Sequence, residues 1–465
     1  MKSKFLFLLV LSTQFILTAQ TKLPDFFSDQ MVLQQNEKVT IWGTDKPNKK
    51  IKITSSWGEK QNTKADANGK WKLKIQTPKA GGPYTVNING SDKIELNDVY
   101  IGEVWLCSGQ SNMEMPVKGF NNQAINHSQE EILNSSNPHI RMFSVKRNPS
   151  MSLQENVQGQ WKVAAPNTTG DFSAVAYFFG KKIESILQVP VGLIVTCWGG
   201  SSAEAWTDKE TLQEFKTIEL PTELKKNGVQ HTPFALYNGM INPLVGYGIK
   251  GAIWYQGESN KERASNYTAL INAMVTSWRN KWEQGDFSFY TTQIAPFKYG
   301  NKTNSAYLRE AQLKTSLNLK NSGMAVTLDI GDAKFIHPRE KKTVGNRLAY
   351  WALSKDYNIA GLDYSGPIYK SLKITDKNKI QLQFSGSSSG LNSFGKELKG
   401  FEIAGADKVF YPAQAKIVKS LNTLEVSSEK VKNPVAVRYA FTNTPEATLF
   451  STSGLPASSF RTDDW

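Results

Sequence analysis

Val104-Trp105-Leu106-Cys107-Ser108-Gly109-Gln110-Ser111-Asn112-Met113 is the stretch that decides how this 465-residue chain is read. A short apolar run ends in a glycine and a string of polar side chains, the pattern of a buried strand running into a turn. The arrangement recurs three times. Val195-Thr196-Cys197 leads into Trp198-Gly199-Gly200-Ser201, and Ile253-Trp254-Tyr255 leads into Gln256-Gly257-Glu258-Ser259-Asn260. Val326-Thr327-Leu328-Asp329 leads into Ile330-Gly331-Asp332 and then Ile336-His337-Pro338. Amphipathic segments separate these runs, so the expected fold class is α/β with a parallel sheet. In such sheets ligands bind beyond the carboxyl ends of the strands, where all four polar segments fall.

Working outward, strands are predicted at 104–107, 193–197, 249–255, 287–293 and 324–329. One helix is predicted from Ser173, a residue suited to the N-cap, to about Leu187. A second covers about 266–282, where Tyr267, Leu270, Ile271, Met274, Val275 and Trp278 form one apolar stripe. A third covers about 305–317, and a fourth follows Pro338 to about Leu353.

On both sides of this segment the texture is that of strands. Residues 21–98 alternate apolar and polar, with Val39 and Ile41, Ile51 and Ile53, Trp71 to Ile75 and Tyr84 to Ile88 separated by turn signals such as Gly81-Gly82-Pro83. This region is expected to be a small β-sandwich. Residues 361–465 return to the strand pattern and form a second β region, with its packing partner left open by the sequence. The catalytic domain is expected at 99–360.

Residues 1–20 read as a cleavable signal peptide, with Lys2 and Lys4 before a short apolar run and Ala19 near its end, so the chain is expected to be exported, periplasmic or secreted. No later segment is apolar enough to span a bilayer. The net charge of +14 is spread thinly. Lys49-Lys50, Lys225-Lys226 and Lys341-Lys342 are short clusters read as a mildly cationic surface, without the dense stripe that nucleic-acid binding requires. Cys107 and Cys197 each end an apolar run and read as buried free thiols, with a bridge as the alternative. Two cysteines and four scattered histidines show no metal-ligand spacing.

A serine hydroxyl is a weak nucleophile until a base takes its proton. Of His127, His139, His231 and His337, only His337 closely follows a predicted strand end beside acidic residues. Asp332 and Asp329 are the candidates to orient its ring. A tetrahedral intermediate needs donors aimed at its oxyanion. The N–H of Ser111, a glycine N–H from Gly199-Gly200 and the side-chain amide of Gln256 are the candidates. Glu258 reads as a solvated carboxylate or, with Asn260, as support for its loop. Met113 stands where the lipase-type elbow requires glycine, and His-Glu-x-x-His is absent.

The blocks Gly109-Gln110-Ser111-Asn112-Met113, Trp254 through Asn260, and Asp332 through His337-Pro338 with Gly345-Asn346-Arg347-Leu348-Ala349 resemble those of the sialate O-acetylesterases, in the SGNH hydrolase superfamily. The Phe27 to Gln34 and Gly400 to Gly405 segments are also similar, so the resemblance spans nearly the whole mature chain. It implies a three-layer α/β/α SGNH-hydrolase-like domain flanked by β-sandwich-like regions. It also implies an esterase removing O-acetyl groups from sialic acids without a cofactor. The matching catalytic pair is Ser111 and His337, with Ser111, Gly200 and Gln256 at the oxyanion. The superfamily spacing would put the acid at Lys334, so either Asp332 completes a triad or Ser111 and His337 act as a dyad. Acetylated xylan or another plant polysaccharide is the alternative substrate. A non-catalytic carbohydrate-binding protein is the alternative of another class.

Overall fold

The computed structural model describes residues 20–300, 302–376, 378–388, 390–418 and 421–465. The expected signal peptide therefore lies, Gln20 aside, outside the described residues. Among the described residues no helix is long and apolar enough to cross a membrane.

The sheet at the centre runs in the order Ser322–Ala325, Ser288–Thr292, Gly251–Tyr255, Lys93–Gly109, Val191–Cys197, Asn137–Ser144, Trp161–Ala164. Neighbours are parallel until the last pair, where Trp161–Ala164 returns antiparallel to Asn137–Ser144. The sheet is thus mixed, not purely parallel as expected, because this edge strand folds back without the crossover helix that a parallel partner needs. The sequence pattern passes over the last two strands of this order, Asn137–Ser144 and Trp161–Ala164. Pro138, His139 and Arg141 interrupt the first, yet Arg141 is buried with its guanidinium on Asp98.

Alternate residues of Lys93–Gly109 enter two different apolar clusters, as a pleated strand requires. Val104 and Leu106 join Trp254 of the neighbouring strand and Tyr267, Leu270, Trp278 and Leu308, from the Ala264–Trp282 and Ala306–Asn318 helices. Trp105 and Cys107 join Tyr177, Phe178, Val344 and Leu348, from the Ala174–Leu187 and Lys341–Lys355 helices. All four predicted helices form. Ser173 caps the first, its Oγ accepting the Ala176 N–H at 3.2 Å, worth about 1 kcal/mol. The same hydroxyl donates to the Met113 carbonyl at 2.6 Å and so pins that helix to the Ser111 turn. Cys107 and Cys197 are buried free thiols.

The 17-residue strand Lys93–Gly109 crosses the point where the sequence pattern changes. Its first half pairs with Gly81–Asn89 and Val32–Gln34, so strands of the N-terminal region continue the hydrogen-bonding of the central sheet. Lys38–Thr44 and Lys70–Gln76 form a separate two-stranded ribbon. The C-terminal strands make two four-stranded sheets and a short pair. Their core includes Met324, Val326 and Leu328. The buried Arg309 guanidinium binds Ser459 Oγ at 2.9 Å and the carbonyls of Ala440 and Thr442. The C-terminal region, whose partner the sequence left open, is therefore seated on the Ser322–Ala325 side of the central sheet.

Candidate active site

The Ser111 turn is built by backbone. Gly109 closes its strand at φ 138°, and a Cβ there would collide with the Tyr255 carbonyl oxygen of the neighbouring strand. Glycine is needed for both reasons. The Gln110 N–H then donates to the same carbonyl at 2.9 Å, and the chain turns into Ser111–Glu114. The parallel neighbours bring Trp198 to Gly200 and Gln256 to Asn260 to either side. A Cβ on Gly199 would lie 2.9 Å from Glu114 Oε2 and 3.3 Å from Ser111 Cβ, so glycine eases the close approach of that loop to the serine. The Gly199 N–H is held by Glu114 Oε2 at 2.8 Å, and Glu114 in turn is paired with Arg147.

His337 reaches this turn from a loop far along the chain. Its Nε2 lies 2.8 Å from Ser111 Oγ. Its Nδ1 is hydrogen-bonded to Gln123 Oε1, and the Phe120 ring stands edge-on at 5.3 Å. A side-chain carbonyl oxygen can only accept, so Nδ1 carries the ring proton and Nε2 is left to accept from the serine hydroxyl. Burial and, second, the Lys341 ammonium push the imidazole down to about 4. At neutral pH the ring is therefore uncharged and competent to take a proton.

The structure brings some expected residues together and leaves others apart. Asp332 does not touch the imidazole. Its Oδ1 accepts the Lys334 N–H at 2.8 Å, closing a local turn. Asp329 is occupied by Arg347 at 2.7 and 2.6 Å. Gln256 does not present its amide to the serine either. It is fully buried, and its Nε2 donates to the Ser201 carbonyl at 3.1 Å and to Asn260 Oδ1 at 2.7 Å. Both hydrogens are spent on holding the neighbouring loops. Asn260 completes that structure, accepting from Ala203 N at 2.9 Å and donating to Glu204 at 3.0 Å. The N–H groups of Ser111 and Gly200, by contrast, meet no protein acceptor among the described residues.

Two features escaped the sequence reading. Gln123, not an acid, orients the histidine, and no motif around Phe120-Asn121-Asn122-Gln123 announces it. Asn112, fully buried beside the serine, donates to Glu258 Oε1 at 2.6 Å and to the Ile336 carbonyl at 3.1 Å, joining the serine turn to the residue before His337. Glu258 is buried support, not a solvated carboxylate, and burial raises its pKa. Among the described residues no group of three or more His, Cys, Asp or Glu comes together to hold a metal.

With a serine hydroxyl 2.8 Å from an uncharged imidazole and a glycine loop beside the serine, comparison with known proteins is decisive. Residues 101–354, more than half of the chain, match the family model described as carbohydrate esterase, sialic acid-specific acetylesterase. The chain belongs to this family. A carbohydrate acetylesterase from Xanthomonas citri is 36% identical, with a TM-score of 0.88 over 96% of this chain and 100% of that one. Sialate O-acetylesterases of Pongo abelii and Homo sapiens are 29% and 28% identical, each over 94% of this chain and 91% of their own length. This carbohydrate esterase is accordingly a carboxylic ester hydrolase, and its family match spans the whole loop system from Gly109 to His337.

Proposed function

We propose that this carbohydrate esterase removes O-acetyl groups from sialic acids through an acetyl-Ser111 intermediate. The observation that carries the mechanism is the 2.8 Å contact of His337 Nε2 with Ser111 Oγ, on a ring whose other nitrogen is fixed by Gln123. The substrate class is that named for the mammalian relatives.

His337 takes the hydroxyl proton as Ser111 Oγ attacks the acetyl carbonyl carbon. The N–H groups of Ser111 and Gly200 stabilise the oxyanion, and His337 returns the proton to the departing sugar oxygen. Water then attacks the acetyl-serine with His337 again as base, releasing acetate and restoring the serine hydroxyl. The helices on the two faces of the central sheet support an SGNH-type three-layer arrangement, flanked by β regions at 21–98 and 361–465. The charged start and short apolar run at the N-terminus support export.

The test is acetate release from O-acetylated sialic acid against acetylated xylan, with Ser111→Ala as control. Turnover of the sialate by the unmodified chain is expected to exceed that of xylan, and Ser111→Ala is expected to lower kcat by about 10⁵ or more, as for other serine nucleophiles. Equal turnover by Ser111→Ala removes the serine from the scheme. A preference for xylan moves the reading to plant polysaccharide.

A further inference from the structure

Behind the serine lies a polar cluster that the proposed reaction does not use. Lys341, at the start of the Lys341–Lys355 helix, is completely buried. By sequence alone it is half of the Lys341-Lys342 pair expected at the surface. Only its neighbour Lys342 behaves that way, bridging to Glu131 at 2.6 Å with half its side chain exposed. The Lys341 Nζ is hydrogen-bonded to Asn112 Oδ1. It also lies 5.4 Å from the centre of the Tyr255 ring.

The donor on Asn112 Oδ1 has a consequence. An ammonium cannot accept a hydrogen bond, so it selects one of the two faces of the Asn112 amide. With Oδ1 turned to Lys341, Nδ2 must point at Glu258 Oε1 and the Ile336 carbonyl, both of which can only accept. The reversed amide would set N–H against ammonium and leave two buried acceptors empty, each costing about 1–3 kcal/mol. One bond from Asn112 thus reaches the residue before His337, while the residue before Asn112 is Ser111.

We propose that Lys341 is a positioning residue for this esterase: its ammonium, through Asn112, fixes the distance between the Ser111 turn and the His337 loop and holds a positive charge beneath the imidazole. The proposal rests on the reading of Ser111 and His337 as the reacting pair. The charged and titratable groups facing Lys341 are Glu258 and Tyr255 from the Gly251–Tyr255 strand and the turn after it, and His337 from its own loop. Tyr299 acts in turn on Tyr255, and Lys261 on Glu258. Glu258 Oε2 and the Tyr255 and Tyr299 hydroxyls are buried with no protein partner among the described residues, and this acidic and phenolic cluster is faced by Lys341 at the Tyr255 ring and by Lys261, 5.7 Å from the Tyr299 ring. Burial pulls the Lys341 ammonium down to about 7, and the Glu258 carboxylate opposes that pull, so the lysine is charged over the acid range in which the imidazole titrates.

The test is the pH profile and the kcat and KM of Lys341→Met and Lys341→Gln in the full chain, assayed on para-nitrophenyl acetate. Loss of register lowers kcat by roughly 10²-fold in Lys341→Met with KM little changed, since a displacement near 1 Å has that effect. Loss of the cation moves the acid limb of kcat/KM upward, in Lys341→Met and Lys341→Gln alike. Lys341→Gln keeps a donor for Asn112 and retains more of kcat. A role in folding alone would leave the acid limb in place, and an unmoved limb with unchanged kcat overturns the proposal. Should Lys341→Met fail to fold, Asn112→Asp carries the test. It keeps the lysine paired but has no N–H for Ile336, and unchanged kcat there is equally fatal. An inactive unmodified chain would instead be a failure of the esterase reading.

Discussion

Ser111 and His337 face each other across one hydrogen bond, yet the chain holds them by different means. Ser111 follows Gly109, the last residue of the central strand, with only Gln110 between. Its place is set by main-chain contacts of its own turn and of the adjoining Tyr255. His337 lies in a stretch between Ala325 and Lys341 that has no helix or strand. Its loop is held from outside: by Asn112 on Ile336, Gln123 on the imidazole, Lys298 N–H on the Ala333 carbonyl and Asn126 N–H on the Arg339 carbonyl. A turn tied to a sheet fails or holds as part of the fold. A loop tied in part by side chains, Asn112 and Gln123 at the histidine itself, can be loosened one such contact at a time, and its histidine retuned without unfolding anything.

The sharpest way to break this contrast is at Gln123. Replacing it with leucine leaves the Nδ1 proton without an acceptor and frees the wrong tautomer. The corresponding loss in serine proteases is ~10⁴, and here kcat/KM is expected to fall by roughly 10²- to 10³-fold with melting temperature nearly unchanged. Gln123→Glu sharpens the point by sign. A carboxylate favours the protonated imidazole, so the histidine pKa rises from about 4. Because the neutral ring is the base, the acid limb of kcat/KM moves to higher pH while the neutral plateau persists. A limb that stays put would show that Gln123 does not face the working histidine.

On the serine side the expected damage is to stability. Gly109→Ala forces a side chain into a backbone conformation that favours glycine and against the Tyr255 carbonyl. Denaturant unfolding should register a loss of about 1–3 kcal/mol, with the sheet and not the chemistry at fault. Normal stability in this variant would mean that the turn is looser than its contacts imply. The smallest effect belongs to Asp332→Asn. With Asp332 engaged by Lys334 N–H and not by the ring, kcat should drop less than about tenfold. A triad-sized loss would return Asp332 to the histidine and reassign Gln123.

Much of the scaffold was legible because it depends on local pattern. The strands at 104–107, 193–197 and 249–255 are apolar runs too short for helices and are bounded by glycine. The helix from Ser173 carries its own cap. The strand Asn137–Ser144 was hidden because Arg141 is buried by a partner, Asp98, that lies far away in sequence. The same limit applied at the site. Ser111 and His337 stand in blocks that announce themselves. Gln123 is one polar residue in a polar loop. Lys341 stands beside a second lysine, and only its helical spacing to Val344 and Leu348 places it on the buried face.

By itself the sequence determined the alternation of buried strands and amphipathic helices, and which serine and histidine would come to the strand ends. Periodicity and backbone freedom are properties of neighbouring residues, so they can be read along the chain. Tertiary structure alone decided that a glutamine orients the histidine, that Gln256 is spent on its own scaffold, and that one lysine of a pair is sealed beneath the serine. Hydrogen bonds and burial are fixed by whichever groups the closed fold brings within about 3 Å, and sequence separation carries no record of that distance.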